Sequence, residues 1–250
     1  MAREPIVAHA PVQTRRTSRS EATWLLLAIN IGVYVWMVVH GVSATSPTPD
    51  DLVRYGANVT DITLAGQWYR VLTATFVHVG IIHLATNMWC LYNLGLLGEP
   101  LLGRWGLIAT YVITGIAGNL LSLLVNVVTH NLSVGAGASG AVFGIAGILI
   151  VLLSNRKLPI PAQELERLRR SVMQFAGLNL VIGLATSFSN VIRIDNMAHI
   201  GGFLSGLALG PPLVPRMTSG RKRYLGRQKV TFAVAALLLF LFAHWVASLR

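Results

Sequence analysis

The chain has 250 residues, of which 54% are hydrophobic and only 12% charged, with a formal net charge of +11. An ordinary soluble domain carries about twice that share of charged residues, so composition alone excludes one. The single cysteine, Cys90, excludes an intrachain disulfide framework.

Uncharged runs of about 20 residues are long enough to cross a hydrocarbon core. Seven are predicted, over 22–40, 79–98, 105–128, 139–154, 171–190, 196–214 and 230–248. The expected fold class is an all-α polytopic membrane protein. Residues 1–20 are expected to be a disordered cytoplasmic tail and 21–214 a six-helix core with a long outer loop at 41–77. Residues 215–229 would be a basic cytoplasmic linker, and 230–250 a seventh transmembrane helix. With the N-terminus inside, every Lys and Arg except Arg54, Arg70, Arg193 and Arg250 lies on the cytoplasmic side. This positive-inside asymmetry explains the basic balance by topology and anionic lipid, not nucleic acid, and puts the C-terminus outside.

In chain order, the tail shows no signal-peptide core with a cleavage site, so the first apolar run, from Trp24, is expected to stay as a span. The outer loop opens on a turn-forming run, Ser43 to Asp51, and becomes amphipathic at Leu64, Trp68, Tyr69, Val71, Leu72 and Phe76. It is expected to lie partly in the outer leaflet, not to fold apart. His83 and Asn87 share one face of the second span near its outer end. Glu99 and Arg104 are expected to pair at the inner surface after that span. Residues 155–170 read as a solvated basic loop, and Asp195 as the N-cap of the sixth span. Asn58-Val59-Thr60 and Asn131-Leu132-Ser133 are sequons that matter only in a secretory membrane. The missing transit peptide and the extra C-terminal helix point to a bacterial plasma membrane.

Ser139 lies in Gly135-Ala-Gly-Ala-Ser-Gly-Ala-Val-Phe-Gly-Ile-Ala-Gly147, within a region free of charge from Arg104 to Arg156. On this stretch alone, packing is the simpler reading, because small residues let membrane helices approach closely. The sixth span repeats the pattern with Gly202, Gly206 and Gly210, facing Gly140 and Gly144 of the fourth. Spans two, four and six all run inward and carry His83 with Asn87, Ser139 and His199 near their starts. Close packing of spans four and six would bring Ser139 near His199, a base able to take its proton. His83, Asn87 and the Ser139 backbone N–H are candidate donors to an oxyanion. Asp195 has a sufficient capping role, so a Ser–His dyad is simpler than a triad. The Gly-x-Ser-x-Gly elbow is not matched, since Ala141 stands at its last glycine. His78, His83 and His199 form no His-Glu-x-x-His pattern, and metal catalysis is the weaker chemistry.

These residues also carry a resemblance. Gly66-Gln67-Trp68-Tyr69-Arg70, then Phe76-Val77-His78 and His83-Leu84-Ala85-Thr86-Asn87-Met88, resemble the first loop and second helix of rhomboid intramembrane serine proteases. Gly137-Ala138-Ser139-Gly140 is similar to their Gly-x-Ser-Gly, and Ala198-His199-Ile200-Gly201-Gly202 with Gly206 to their Ala-His-x-x-Gly-x-x-x-Gly. Glu99 and Arg104 resemble the family's acidic–basic pair after helix two. The resemblance covers about residues 20–214 and implies Ser139 as nucleophile, His199 as general base, and His83 and Asn87 at the oxyanion hole. It further implies a six-plus-one helix layout, no cofactor, and transmembrane proteins as substrates within the bilayer. A non-catalytic relative that binds membrane clients is the alternative; such members are expected to lack the Ser or the His. A transporter is weaker still, since no paired repeat is found.

Overall fold

The computed structural model describes residues 20–131, 133–156, 158, 160–186, 195–215 and 220–249. The expected N-terminal tail, the end of the fifth predicted span and part of the basic linker lie outside these residues. The elements are α1 (Glu21–Val39), α2 (Pro49–Arg54), β1 (Asn58–Val59), α3 (Thr60–Leu64), α4 (Arg70–Thr73) and α5 (Ile81–Thr129). They continue with β2 (Val134–Gly135), α6 (Ser139–Leu153), α7 (Ala162–Thr186), α8 (Asn196–Leu213) and α9 (Arg221–Ala247). Among the described residues, α1, α5 and α9 are long and apolar enough to cross a membrane, and α6 is a shorter apolar helix. The protein is an all-α polytopic membrane protein.

α5 is two helices. Gly103 takes φ 75°, ψ 164°, a conformation that only glycine adopts readily, and breaks it. A Cβ on Gly98 would lie 3.5 Å from Leu107 Cδ1. Those residues would stand about 13 Å apart along an unbroken helix. The chain therefore folds back at Gly103 into two arms, before and after that residue, labelled inward and outward, like the outer loop, after the expected topology.

α6 sits at the centre. It is apolar on every side and buried nearly throughout, as a helix without a polar face must be. The α5 arms, α7 and α8 surround it, and its tightest contact is with α8. There the backbones touch: Cβ atoms added at Gly202 and Gly206 would come to 2.0 Å from Gly140 O and Gly144 O. For helices associating within lipid, burial of apolar surface supplies little drive, so close packing of this kind holds them.

Buried polar groups fix the remaining elements. Glu99 is 4% exposed and accepts from Ala22 N–H (2.9 Å), Thr23 N–H (2.9 Å) and Thr23 Oγ1 (2.8 Å). It thus caps the start of α1 from a neighbouring helix, satisfying donors that no intrahelical carbonyl can reach. The expected Glu99–Arg104 pair does not form. Arg104 instead meets Glu21 at 3.3 Å, with both side chains exposed. Tyr111 Oη donates to Thr75 O (3.0 Å) and accepts from Asn30 Nδ2 (3.0 Å), joining α1, the outward arm of α5 and the end of the outer loop.

The outer loop folds onto the bundle. Arg70, interleaved in the amphipathic part of the loop, is buried: its Nη1 donates to Val53 O (2.7 Å) and Ala57 O (3.0 Å), and its Nε to Gln67 Oε1 (2.8 Å). Asn119 Nδ2 holds Val71 O at 2.9 Å, and Asn58 Nδ2 holds Asn119 O at 3.1 Å. Asn58 is therefore buried and engaged, and the first sequon is not presented for modification. β1 pairs antiparallel with β2, Asn58 opposite Gly135, a contact without a sequence signal. α7 begins at Ala162, so much of the segment read as a basic loop is helical, with Glu166 and Arg170 one turn apart at 3.3 Å.

Two stability predictions follow from these contacts. Gly206→Ala forces a methyl into the Gly144 carbonyl and is expected to destabilise the protein by about 1–3 kcal/mol. Glu99→Ala leaves three buried donors unpaired and is expected to cost at least ~2 kcal/mol, whereas Arg104→Ala stays within about 0.5 kcal/mol. Unfolding midpoints in a single detergent check both; equal effects at 99 and 104 would contradict the capping role of Glu99.

Candidate active site

Ser139 is the first residue of α6. Ala138 precedes it with helical φ/ψ and no side-chain cap. The N–H groups of a first helical turn have no carbonyl within the helix to accept them. The positive end of the helix dipole adds to their attraction for an anion. Gly137, just before, has φ +134° and donates its N–H to Ala74 O at 2.9 Å, tying this turn to the outer loop.

His83 comes to the same place from the inward arm of α5. A Cβ built on Gly137 would lie 2.6 Å from His83 Cε1, 3.0 Å from Nε2 and 3.7 Å from Ser139 Oγ. The imidazole and the hydroxyl thus close on one point, and glycine is required there for space as well as for backbone angle. Val79 N–H donates to His83 Nδ1 at 3.3 Å. An acceptor at Nδ1 leaves a neutral imidazole with its proton on Nε2, the nitrogen beside Gly137. His83 therefore offers a donor to this space. Asn87 lies one turn further along and is buried; its Nδ2 donates to His83 O at 2.9 Å and keeps a second hydrogen. His78 packs behind, its ring 5.4 Å from that of His83, with Nδ1 3.2 Å from Phe76 O and Nε2 buried without a partner among the described residues.

His199 arrives on α8. Its ring is buried and stacks on Phe143 at 4.5 Å with 16° between the planes. Phe143 is four residues after Ser139, hence on the same face of α6 one turn inward. Phe143 is missing from the sequence reading, although its spacing from Ser139 would have singled it out. His199 Nδ1 has no hydrogen-bond partner among the described residues. Asp195 caps α8, accepting Ala198 N–H at 3.0 Å on Oδ1, and its Oδ2 accepts from Ser122 Oγ at 2.6 Å. Both carboxylate oxygens are thus engaged away from the imidazole. The structure gathers Ser139, His83 and Gly137 at the outer end of α6, with Asn87 one turn from His83 and His199 on the Ser139 face. A hydroxyl beside a buried imidazole and a set of free N–H donors is chemistry suited to acyl transfer.

Comparison with known proteins identifies the family. Residues 65–216 match the rhomboid domain model. The rhomboid protease GluP of Bacillus subtilis (strain 168) is 34% identical over 195 residues, which cover 76% of this chain and 35% of GluP. The rhomboid protease AarA of Providencia stuartii is 32% identical over 212 residues, covering 77% of this chain and 73% of AarA. The chloroplastic RHOMBOID-like protein 9 of Arabidopsis thaliana is 28% identical over 199 residues, covering 79% of this chain and 43% of that protein. This chain therefore spans about a third of GluP and under half of the plant relative. The chain belongs to the rhomboid family.

Proposed function

We propose that this chain is an intramembrane serine endopeptidase that cuts other membrane proteins in or near their transmembrane segments. One observation carries the reading: Ser139 Oγ and the His83 ring close on a single point beside Gly137, while the glycine contact of α6 and α8 brings His199 onto Phe143. The names of GluP and AarA as rhomboid proteases support it.

The reaction runs as acyl transfer. His199 takes the proton of Ser139 Oγ as the oxygen attacks the scissile carbonyl. Negative charge then gathers on the carbonyl oxygen, where the Ser139 N–H, His83 Nε2–H and the second Asn87 Nδ2 hydrogen donate to it. Collapse breaks the C–N bond, and the imidazolium of His199 returns the proton to the leaving amine. Water, deprotonated by the same imidazole, hydrolyses the acyl-enzyme and restores Ser139. The substrate must be extended at the cut, because a carbonyl inside an intact helix is occupied by its own hydrogen bond. Small, helix-destabilising residues at the site meet that need. The enzyme is assigned to a bacterial plasma membrane, with the N-terminus in the cytoplasm, the C-terminus outside and Ser139 opening to the outer face.

Labelling with a fluorophosphonate probe tests the dyad. Wild-type protein is expected to label, and Ser139→Ala and His199→Ala to remain blank while eluting as folded monodisperse species. Labelling of Ser139→Ala, or none of a folded wild type, would favour a client-binding relative over a protease. Asn87→Ala removes one oxyanion donor and is expected to lower the cleavage rate of a transmembrane reporter substrate by about 10²–10³-fold at unchanged probe access.

A further inference from the structure

Asp195 sits where the segments leading to Ser139 and His199 meet. Its three oxygens serve three partners. Oδ1 accepts from Ala198 N–H at 3.0 Å. The backbone oxygen accepts from His199 N–H at 3.3 Å. Oδ2 accepts from Ser122 Oγ at 2.6 Å. Ser122 is 3% exposed and belongs to the outward arm of α5. A hydroxyl donating to a carboxylate at this length is a charge-assisted bond, about twice as strong as a neutral one. The same Oδ2 would stand 3.2 Å from a Cβ on Gly135. Gly135 is in β2, four residues before Ser139, and pairs with Asn58 of the outer loop.

The first turn of α8 is also wedged between its neighbours. Ala198 O lies 2.5 Å from the place of a Cβ on Gly118 and 3.2 Å from one on Gly140. Gly118 belongs to the same α5 arm as Ser122, one turn earlier. α8 therefore has little room to move sideways against α5 and α6. The glycine contacts leave sliding and rotation along the smooth face less constrained, since a surface of small residues offers few ridges to interlock. The Ser122–Asp195 bond is directional and acts at the turn that carries His199.

We propose that Asp195 is a positioning residue for His199, acting as a latch that fixes the first turn of α8 to the outward arm of α5 through Ser122. The inference rests on the protease reading for its consequence and adds a residue pair to it. The latch works by geometry. His199 Nδ1 receives nothing from the carboxylate, so Asp195 differs in kind from the acid of a triad. Of the titratable groups on and beside α5, His83 acts electrostatically on His199, and His78 packs against the His83 ring.

The test uses the full chain in detergent, with Ser122→Ala, Asp195→Asn and Asp195→Ala. The first readout is hydrogen exchange of the peptide spanning 195–203, which needs no activity. Ser122→Ala and Asp195→Ala are expected to speed exchange there and leave α1 and the inward arm of α5 unchanged. The second is the Ser139 labelling rate and its pH profile. Ser122→Ala is expected to lower the rate about 3–30-fold, as a small misplacement of a catalytic group does. Asp195→Asn keeps an oxygen for the cap and an amide that donates to Ser122, so it is expected to stay within about threefold of wild type. The profile should keep its midpoint in all variants. Wild-type exchange in Ser122→Ala would overturn the latch even where Asp195→Ala exchanges faster, because Asp195→Ala also removes the cap of α8. A displaced midpoint in Asp195→Asn would also overturn it and make Asp195 an electrostatic partner of His199. If wild type fails to label at Ser139, the protease reading falls, and the exchange data still decide whether the latch exists.

Discussion

Direct contact between the backbones of α6 and α8 is the constraint on which this structure depends. Gly202 and Gly206 lie against the carbonyls of Gly140 and Gly144, at a separation where even one methyl per residue would collide. In lipid the two helices gain little from burying apolar side chains, because acyl chains solvate them as well as protein does. Dispersion between closely apposed backbones and weak Cα–H···O contacts remain. That same closeness sets the candidate site. Ser139 begins α6 and His199 lies in the first turn of α8, so a pair of helices that touch at their glycines presents both side chains at one end.

Polar groups do what apolar burial cannot. Glu99, Tyr111, Asn119 and Asn58 each reach a backbone or side-chain group on another element. A buried donor or acceptor without a partner costs about 1–3 kcal/mol. An alternative packing that parts Glu99 from Ala22 and Thr23 would leave several such groups unpaired at once. These contacts select one arrangement among many that apolar helices would otherwise tolerate. The site is built on this rigidity, with Ala74 O near the end of the outer loop and Val79 N–H just before α5 orienting Gly137 and His83.

The helices and the glycine face were legible because they are periodic and local. Uncharged runs mark the helices, and Gly140, Gly144, Gly202 and Gly206 repeat every four residues. Ser139 as the first residue of α6 was readable for the same reason, since the apolar helix pattern begins there. What escaped were partners chosen across long separations. Nothing near Glu99 points to the start of α1, and adjacency in sequence suggested Arg104 instead. Arg70 looked like the polar side of an amphipathic loop, yet its guanidinium gathers three acceptors that only the folded loop assembles. Ser122 sits among apolar residues with no mark of its role, because its partner lies far along the chain at Asp195.

α9 shows how one end of the bundle is closed. The break at Gly103 and the end of α8, with Pro211 and Pro212 in its last turn, leave carbonyls that no helix satisfies. α9 meets them with residues one turn apart. Gln228 Nε2 donates to Leu102 O at 2.8 Å and to Tyr224 Oη at 3.0 Å. Tyr224 Oη lies 3.2 Å from both Leu101 O and Leu213 O, and Arg227 reaches Val214 O. Further along, Val246 packs with Leu120 and Leu123 of the α5 arm that follows Gly103 and with Val71 of α4. Between them Phe232, Ala235, Leu239 and Phe242 pack half-buried against the bundle, and the other side of α9 is open, as a helix facing lipid is. Its polar attachment is confined to its first turns. The polar end covers carbonyls that would otherwise be unpaired at the base of α8, and the apolar end backs the arm that holds Asn119 and Ser122. α9 thus supports, from opposite ends, the last turn of α8 and the α5 arm against which the first turn of α8 is set.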